Sequence, residues 1–449
     1  MPSHFDLVLK GGTVATPAGL VAADIGVRDG RIVALGAVEG AAAETRDCTG
    51  LTVLPGVIDS QVHFREPGLE HKEDLATGSR AAVMGGVTAV FEMPNTKPLT
   101  TSAETLADKV ARATGRMHCD FAFWVGATAG NVDELPALER LPGAAGIKIF
   151  MGSSTGDLLV ADDETLARVL SKTRRRVAVH AEDEPRLEAR KPLRVEGDPL
   201  SHPVWRDPEA ALIATRRLVT TARAVGARVH VLHISTAEEM AFLVDHKDVA
   251  SIEVTPHHLT LATDEHGASL GTRLQMNPPV RDSAVRAALW RALDGALVDV
   301  LGSDHAPHTL EEKAKPYPQS PSGMTGVQTL VPIMLDHVAQ GRLSLARFVD
   351  LTSAGPARLF GIEAKGRIAL GYDADFTIVD LKRSVEIEDR WIASRAGWTP
   401  YNGRRVTGWP VGTVVRGGFA MWEGELTSPP LGRPVRFEAT QQPGQPRRA

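Results

Sequence analysis

Apolar residues alternate with polar ones near both ends of the chain and gather into short unbroken blocks through its middle. At the start, Asp6 to Leu9 and then Ile25 to Ala34 carry the period-two signature of strands, interrupted by Gly11-Gly12 and by Asp29-Gly30. An Asp-Gly pair between alternating apolar residues is the strongest short hairpin signal, because both turn positions tolerate positive φ. Near the other end, Gly366-Arg367-Ile368-Ala369-Leu370-Gly371, Phe376 to Val379 and Val411 to Val415 again read as short strands separated by Gly. Two terminal β segments are therefore predicted to flank a different middle.

The middle alternates buried strands with helical stretches. The predicted strands are Val53 to His63, Thr88 to Met93, Phe121 to Val125, Gly146 to Phe150, Val177 to His180, Val229 to His233, Ser251 to Thr255 and Val298 to Gly302. A helix is predicted from Asp207-Pro208-Glu209 onward. Asp207 caps it, Pro208 fits its first turn, Ala211, Ala214, Leu218, Ala222 and Val225 share one face, Arg216 and Arg223 lie opposite, and Gly226 ends it. Eight strands alternating with helices imply an α/β fold, a (β/α)8 TIM barrel with its site at the C-terminal strand ends. The expected organisation is a small β-sandwich built from both termini (1–52 and 365–430), the barrel over 53–364, and a loosely held Pro-, Gln- and Arg-rich tail over 431–449.

Composition narrows the function. Fifty Lys and Arg against 55 Asp and Glu leave a charge of −5 with no long run of one sign, so nucleic acid and anionic membranes are not expected partners. No stretch of 18 apolar residues occurs, and Met1-Pro2-Ser3-His4-Phe5-Asp6 leads into a strand without an export-signal pattern, so a cytoplasmic location is expected. Cys48 and Cys119, far apart and in no Cys-x-x-Cys pair, are expected to be reduced and structural.

Polar residues at the strand ends carry the chemistry. His63 follows strand one, Lys148 lies within strand four, His180 ends strand five, His233 ends strand six and Asp304 follows strand eight. One His at a strand end is ordinarily a packing residue, but three at C-terminal ends with an acid at strand eight suit a Zn, Mn or Fe site with hydrolytic capacity. Lys148 sits among Ile147, Ile149 and Phe150, where an ammonium is costly to bury. With a period of two, positions 61, 63 and 65 share one face, so Arg65 is expected to project toward the same cavity as His63 and to offer a bidentate fork. His257-His258 reads as a strand pair with at most one ring toward the mouth, His305 reads as a supporting residue behind the site, and His202 and His230 read as packing or surface residues. The segment from His308 to Gly323, with three prolines, has the position of a lid, or equally of an ordinary long connection.

These motifs identify a resemblance. Val62-His63-Phe64-Arg65-Glu66-Pro67-Gly68, Met93-Pro94-Asn95-Thr96, Asp304-His305-Ala306-Pro307-His308 and Gly371-Tyr372-Asp373-Ala374-Asp375 resemble the amidohydrolase superfamily over nearly the whole chain. The likeness is to its cyclic amide hydrolases, and Arg65 with the Arg-Glu-Pro-Gly stretch makes it most similar to the dihydroorotases. The resemblance implies a carboxylated Lys148 bridging two zinc ions, His180 and His233 on the second ion, and Asp304 as metal ligand and acid/base. It also implies Arg65, Asn95 and His308 on a substrate carboxylate and Asn277 on the substrate ring. A homo-oligomer, most simply a dimer, is expected. One departure stands out: the family has His-x-His at strand one, and this chain has Gln61-Val62-His63. Gln61 either ligates weakly beside His63 and Asp304, or leaves one metal on Lys148, His180 and His233, or marks an inactive partner of aspartate transcarbamoylase. The leading expectation is reversible hydrolysis of dihydroorotate to N-carbamoyl-aspartate in pyrimidine synthesis, with allantoinase-like or dihydropyrimidinase-like hydrolysis as the alternative.

Overall fold

The computed structural model describes residues 4–152 and 158–440. Five strands open the chain: β1 (Phe5–Thr16), β2 (Gly19–Arg28), β3 (Arg31–Gly36), β4 (Ala42–Asp47) and β5 (Thr52–Pro55). Eight follow in the middle: β6 (Val57–Val62), β7 (Val87–Glu92), β8 (Asp120–Gly126), β9 (Ala144–Phe150), β10 (Val177–His180), β11 (Val229–Val231), β12 (Ala250–Val254) and β13 (Val300–Leu301). Four come late: β14 (Phe376–Glu386), β15 (Arg405–Val415), β16 (Gly418–Trp422) and β17 (Glu425–Leu426).

Strands β6 to β13 pair in sequence order, each parallel to the next, with helices between them. The seam between first and last closes at the level of the site. Val62 bridges His305, and the His63 N–H donates to the His305 carbonyl at 2.7 Å. The predicted barrel is thus present, with every strand buried along its length as a parallel sheet covered by helices requires. The helix Pro208–Val225 runs from the Asp207 cap, whose side chain accepts from Ala210 N, to Gly226 at φ 71°. Among the described residues no helix is long and apolar enough to cross a membrane. Cys48 and Cys119 are buried and unpaired.

The termini build a separate sheet in the order β17-β16-β15-β14-β5-β1-β2-β3, with β4 pairing β1. Its β2–β3 hairpin turns at Asp29-Gly30, both at positive φ. Several expectations need correction. The run Val53 to His63 is two strands in different sheets, because the chain passes between them at Gly56. A Cβ there would lie 2.3 Å from Thr88 Oγ1 and 2.8 Å from Asp375 Cβ, so only glycine fits the crossing. Gly11-Gly12 is a bulge inside β1, not a turn between strands. Gly366 to Gly371 forms no strand; it folds back on β3, where Gly371 N donates to the Ile32 carbonyl.

The tail is not loosely held as far as Thr440. Phe121 N donates to the Arg433 carbonyl and Val435 N to the Phe121 carbonyl, which lays the segment across the N-terminal end of β8. Val435 and Phe437 are buried there with Phe91, Trp124 and Phe360, closing the barrel floor opposite the site. The rest of the predicted tail, 441–449, lies outside the described residues.

Candidate active site

The C-terminal strand ends deliver His63, Arg65, Asn95, Lys148, His180, His233, Asn277 and Asp304 to one cavity of about 130 Å³, together with Gln61. Lys148 projects from within β9 and is 1% exposed, while the other side chains come from strand termini and the loops beyond them. Three of these positions have φ between 37° and 66°: Arg65, His233 and Asp304. Positive φ is costly for residues with a Cβ, and its concentration here means the surrounding structure holds the strand-end turns in place to aim these side chains. A larger apolar groove of about 590 Å³, between the β1–β2 hairpin and Leu345–Asp350, holds none of these residues.

The donors come as two facing pairs. His180 donates through Nε2 to Glu182 Oε2 at 2.7 Å, so its bare Nδ1 faces His233 Nε2 at 3.0 Å. Glu182 is itself clamped by Arg206, whose Nε lies 3.2 Å from Oε1. His63 donates through Nδ1 to Asn95 Oδ1 at 2.8 Å, so its bare Nε2 faces Asp304 Oδ1 at 3.2 Å. Two ligands of one tetrahedral zinc, each about 2.05 Å away, would sit roughly 3.3 Å apart. Each pair therefore has nearly the span of two ligands on one cation. Among the described residues no three His, Cys, Asp or Glu side chains meet at one point. A third donor for either pair must come from Lys148 or Gln61, which line the same cavity.

The electrostatics fit that use. Burial pushes His63, His180 and His233 below their ordinary range, leaving neutral rings with lone pairs to offer. Burial alone would raise Asp304, but the His63 and His233 rings beside it hold it well below the usual carboxylate range, so it stays ionised. Burial also pushes Lys148 down to about 7, against the pull of Asp304 and Glu253, so its amine is substantially neutral near physiological pH. Gln61 Oε1 is buried with no hydrogen-bond partner among the described residues. Such an orphan acceptor is costly unless a donor or cation meets it. Neutral imidazoles, an ionised carboxylate, a neutral buried amine and an orphan amide oxygen form a donor set that fits divalent cations.

Other predicted residues fall slightly elsewhere. His308 does not line the cavity; it stands behind Arg65, with its Nε2 3.3 Å from Arg65 Nη2 and 3.0 Å from the Ser322 carbonyl. His257 and His258 lie on a short helix, Pro256–Thr260, because Thr255 caps it and Pro256 opens it, so the alternating-face argument fails. The segment after His308 is pinned: Trp205 Nε1 donates to the Tyr317 hydroxyl at 2.6 Å and Lys313 Nζ to the Pro321 carbonyl at 2.8 Å, and Ser322 and Gly323 reach the cavity wall. Sequence reasoning missed Glu182, although a ligating ring commonly hands its other N–H to a carboxylate and one stands two residues past His180. It also treated His202 as packing, whereas His202 touches Asn277 at 2.9 Å.

Known proteins place this geometry. Residues 52–419 match the model of the amidohydrolase family. A dihydroorotase of Halobacterium salinarum is 40% identical over 388 residues, covering 86% of this chain and 89% of the relative. An allantoinase of Rubrobacter xylanophilus is 36% identical over 448 residues, covering 97% and 98%. Among solved structures, the L-hydantoinase (dihydropyrimidinase) of Arthrobacter aurescens superposes with a TM-score of 0.92 at 31% identity, covering 96% of this chain and 99% of that one. With the barrel, the strand-end donors and these relatives in agreement, the chain belongs to the amidohydrolase family and is a hydrolytic enzyme.

Proposed function

We propose that the enzyme hydrolyses dihydroorotate to N-carbamoyl-aspartate and catalyses the reverse ring closure. Arg65 carries this reading. Arg65 is 8% exposed and lines the cavity, yet its neighbours at bonding distance are the Pro307 carbonyl and the His308 ring, with no carboxylate among the described residues. Asp304 and Glu92 attract it only from beyond contact, and a buried cation with no carboxylate touching it is expensive, so a carboxylate on the substrate supplies the missing partner in bidentate form. Neutral hydantoins, allantoin and dihydrouracil have no such group.

The donor pairs and Lys148 would hold the divalent cations, zinc in this reading, with Lys148 carboxylated to serve both positions. His180 and His233 form one pair of ligands, His63 and Asp304 the other, and Gln61 offers its orphan oxygen to the second. A cation held there supplies Lewis acidity, which acidifies water and polarises a carbonyl. Asp304 takes the proton as the water oxygen bonds to the ring amide carbon, and returns it to the ring nitrogen as the carbon–nitrogen bond breaks. Arg65 and Asn95 hold the substrate so that attack is effectively intramolecular, and His308 steadies the guanidinium from behind.

Assaying purified, zinc-loaded protein with dihydroorotate, allantoin and dihydrouracil tests the proposal. Dihydroorotate is expected to be the preferred substrate. Preference for a neutral ring would make Arg65 irrelevant to selection. Inactivity toward all three would favour a scaffold partner of aspartate transcarbamoylase.

A further inference from the structure

His202 lies outside the catalytic set, on a short helical turn after β10, and is 4% exposed. Its Nε2 is 2.9 Å from the Met276 carbonyl and 2.9 Å from Asn277 Oδ1. A backbone carbonyl can only accept, so Nε2 carries the ring proton, and the Asn277 atom sharing that proton is the amide oxygen. The other nitrogen, Nδ1, must then accept. The Tyr317 hydroxyl is 3.4 Å away and takes the Trp205 indole N–H at 2.6 Å, so its own proton is available to Nδ1, with Ser201 as its other neighbour. A chain of donors can thus run from Trp205 through Tyr317 and His202 to Asn277, and its last link is fixed by the Met276 carbonyl. Asn277 lines the cavity, and its amide nitrogen has no hydrogen-bond partner among the described residues.

We propose that His202 is a positioning residue that fixes the amide of Asn277 with its oxygen turned away, so that Asn277 presents only N–H donors to the substrate. The group it selects is an acceptor oxygen of the cyclic amide, and a ring N–H at that place is rejected because it would face another donor. Only the identity of the cyclic amide rests on the function proposed above; the orientation of Asn277 does not. Tyr317 belongs to the segment after His308, so placement of that segment and polarity of the substrate contact are set by one hydrogen-bonded chain.

Two measurements test this on the metal-loaded enzyme. In long-range nitrogen–proton spectra of imidazole-labelled protein, assigned by the signals lost in His202→Gln, His202 should show a protonated Nε2 and a bare Nδ1. Tyr317→Phe should keep Nε2 protonated, because the Met276 carbonyl still requires a donor there. A protonated Nδ1 in the parent enzyme would overturn the proposal. In kinetics with whichever cyclic amide is turned over, His202→Met should raise KM about tenfold with a smaller change in kcat, the loss of one oriented hydrogen bond. His202→Gln, whose amide N–H reaches the same place, should stay within about threefold of the parent. Asn277→Asp, which puts an acceptor where the donor was, should raise KM by more than about tenfold. Equal KM for His202→Met and His202→Gln, or a tolerated Asn277→Asp, would overturn it, with metal content and melting midpoint showing that each variant is folded. If no cyclic amide is hydrolysed, the functional reading fails while the spectra still decide the orientation.

Discussion

Replacing Arg65 by Met removes the guanidinium while keeping most of the side-chain volume, and its consequences for activity and stability separate. Burial pushes the Arg65 guanidinium down to about 10, and at about 1.4 kcal/mol per pH unit the folded protein spends on the order of 3 kcal/mol keeping it charged. The sign is that of a depressed base, so the cost is fully present at neutral pH, where folded and unfolded chains both carry the charge. Methionine removes that cost but leaves the Pro307 carbonyl, now 3.2 Å from Arg65 Nε, without its donor, a loss of about 1–3 kcal/mol. The two nearly cancel, so the melting midpoint should move by no more than about 3 °C. Activity has no such compensation. Losing a desolvated charge pair with the substrate should lower kcat/KM for dihydroorotate by about 2–5 kcal/mol, roughly 30- to 5,000-fold. Turnover of dihydrouracil or allantoin, however slow, should change less than about threefold because those rings leave the cation unpaired. The assay is steady-state kinetics on all three substrates beside a thermal melt. An unchanged kcat/KM for dihydroorotate, or an equal loss on neutral rings, would refute the carboxylate argument.

Lys148→Ala should abolish activity and release metal, with partial rescue by short carboxylic acids. Because burial brings Lys148 to about 7, its neutral amine is the major form above that pH, so reactivation of carbon-dioxide-depleted protein by bicarbonate and zinc should rise through pH 7 and level off above about 8. A rise continuing to pH 10 would mark an ordinary lysine. Dialysis against a mild chelator should remove one metal readily, from the position that has Gln61 in place of an imidazole, and Gln61→His should tighten it; two ions leaving together would disprove the asymmetry. Phe437→Ala should cost about 3–5 kcal/mol in urea unfolding, since the ring is 1% exposed and its centroid lies 5.5 Å from that of Phe91; a loss under about 1 kcal/mol would mean the floor packs without it.

What was legible in the amino-acid order was what local chemistry decides. The helix from Asp207 to Gly226 was readable at both ends because its cap, its proline and its left-handed terminator are neighbours of the residues they act on. The strand-end donors were readable because a parallel barrel places successive C-terminal ends around one mouth. Thr255-Pro256 was an equally local helix start, and the β-branched run before it obscured it. Other features had no local signal. The break at Gly56 depends on Thr88 and Asp375, which approach only in the folded chain. His202 meets Asn277 and Tyr317 across 75 and 115 residues, so nothing near it in sequence distinguishes it from a packed histidine. The tail's polar composition hid Val435 and Phe437, whose partners Phe91, Trp124 and Phe360 lie far away in sequence.

The position of β5 between β1 and β14 has a consequence for synthesis. The parallel neighbour of β5 has already emerged when β5 leaves the ribosome, but its antiparallel neighbour begins at Phe376, more than three hundred residues later. At about 5–20 residues per second, β5 waits on the order of 15–65 seconds with one edge bare while the whole barrel is made. Throughout that interval the nascent N-terminal strands form an unfinished sheet beside a growing hydrolase, open to pairing with another nascent chain on the same message. Expression at lower temperature lengthens the wait, and synonymous codons that slow the stretch between Gly56 and Phe376 do the same, so soluble yield should depend on the speed of translation through the barrel more than on its speed at either end.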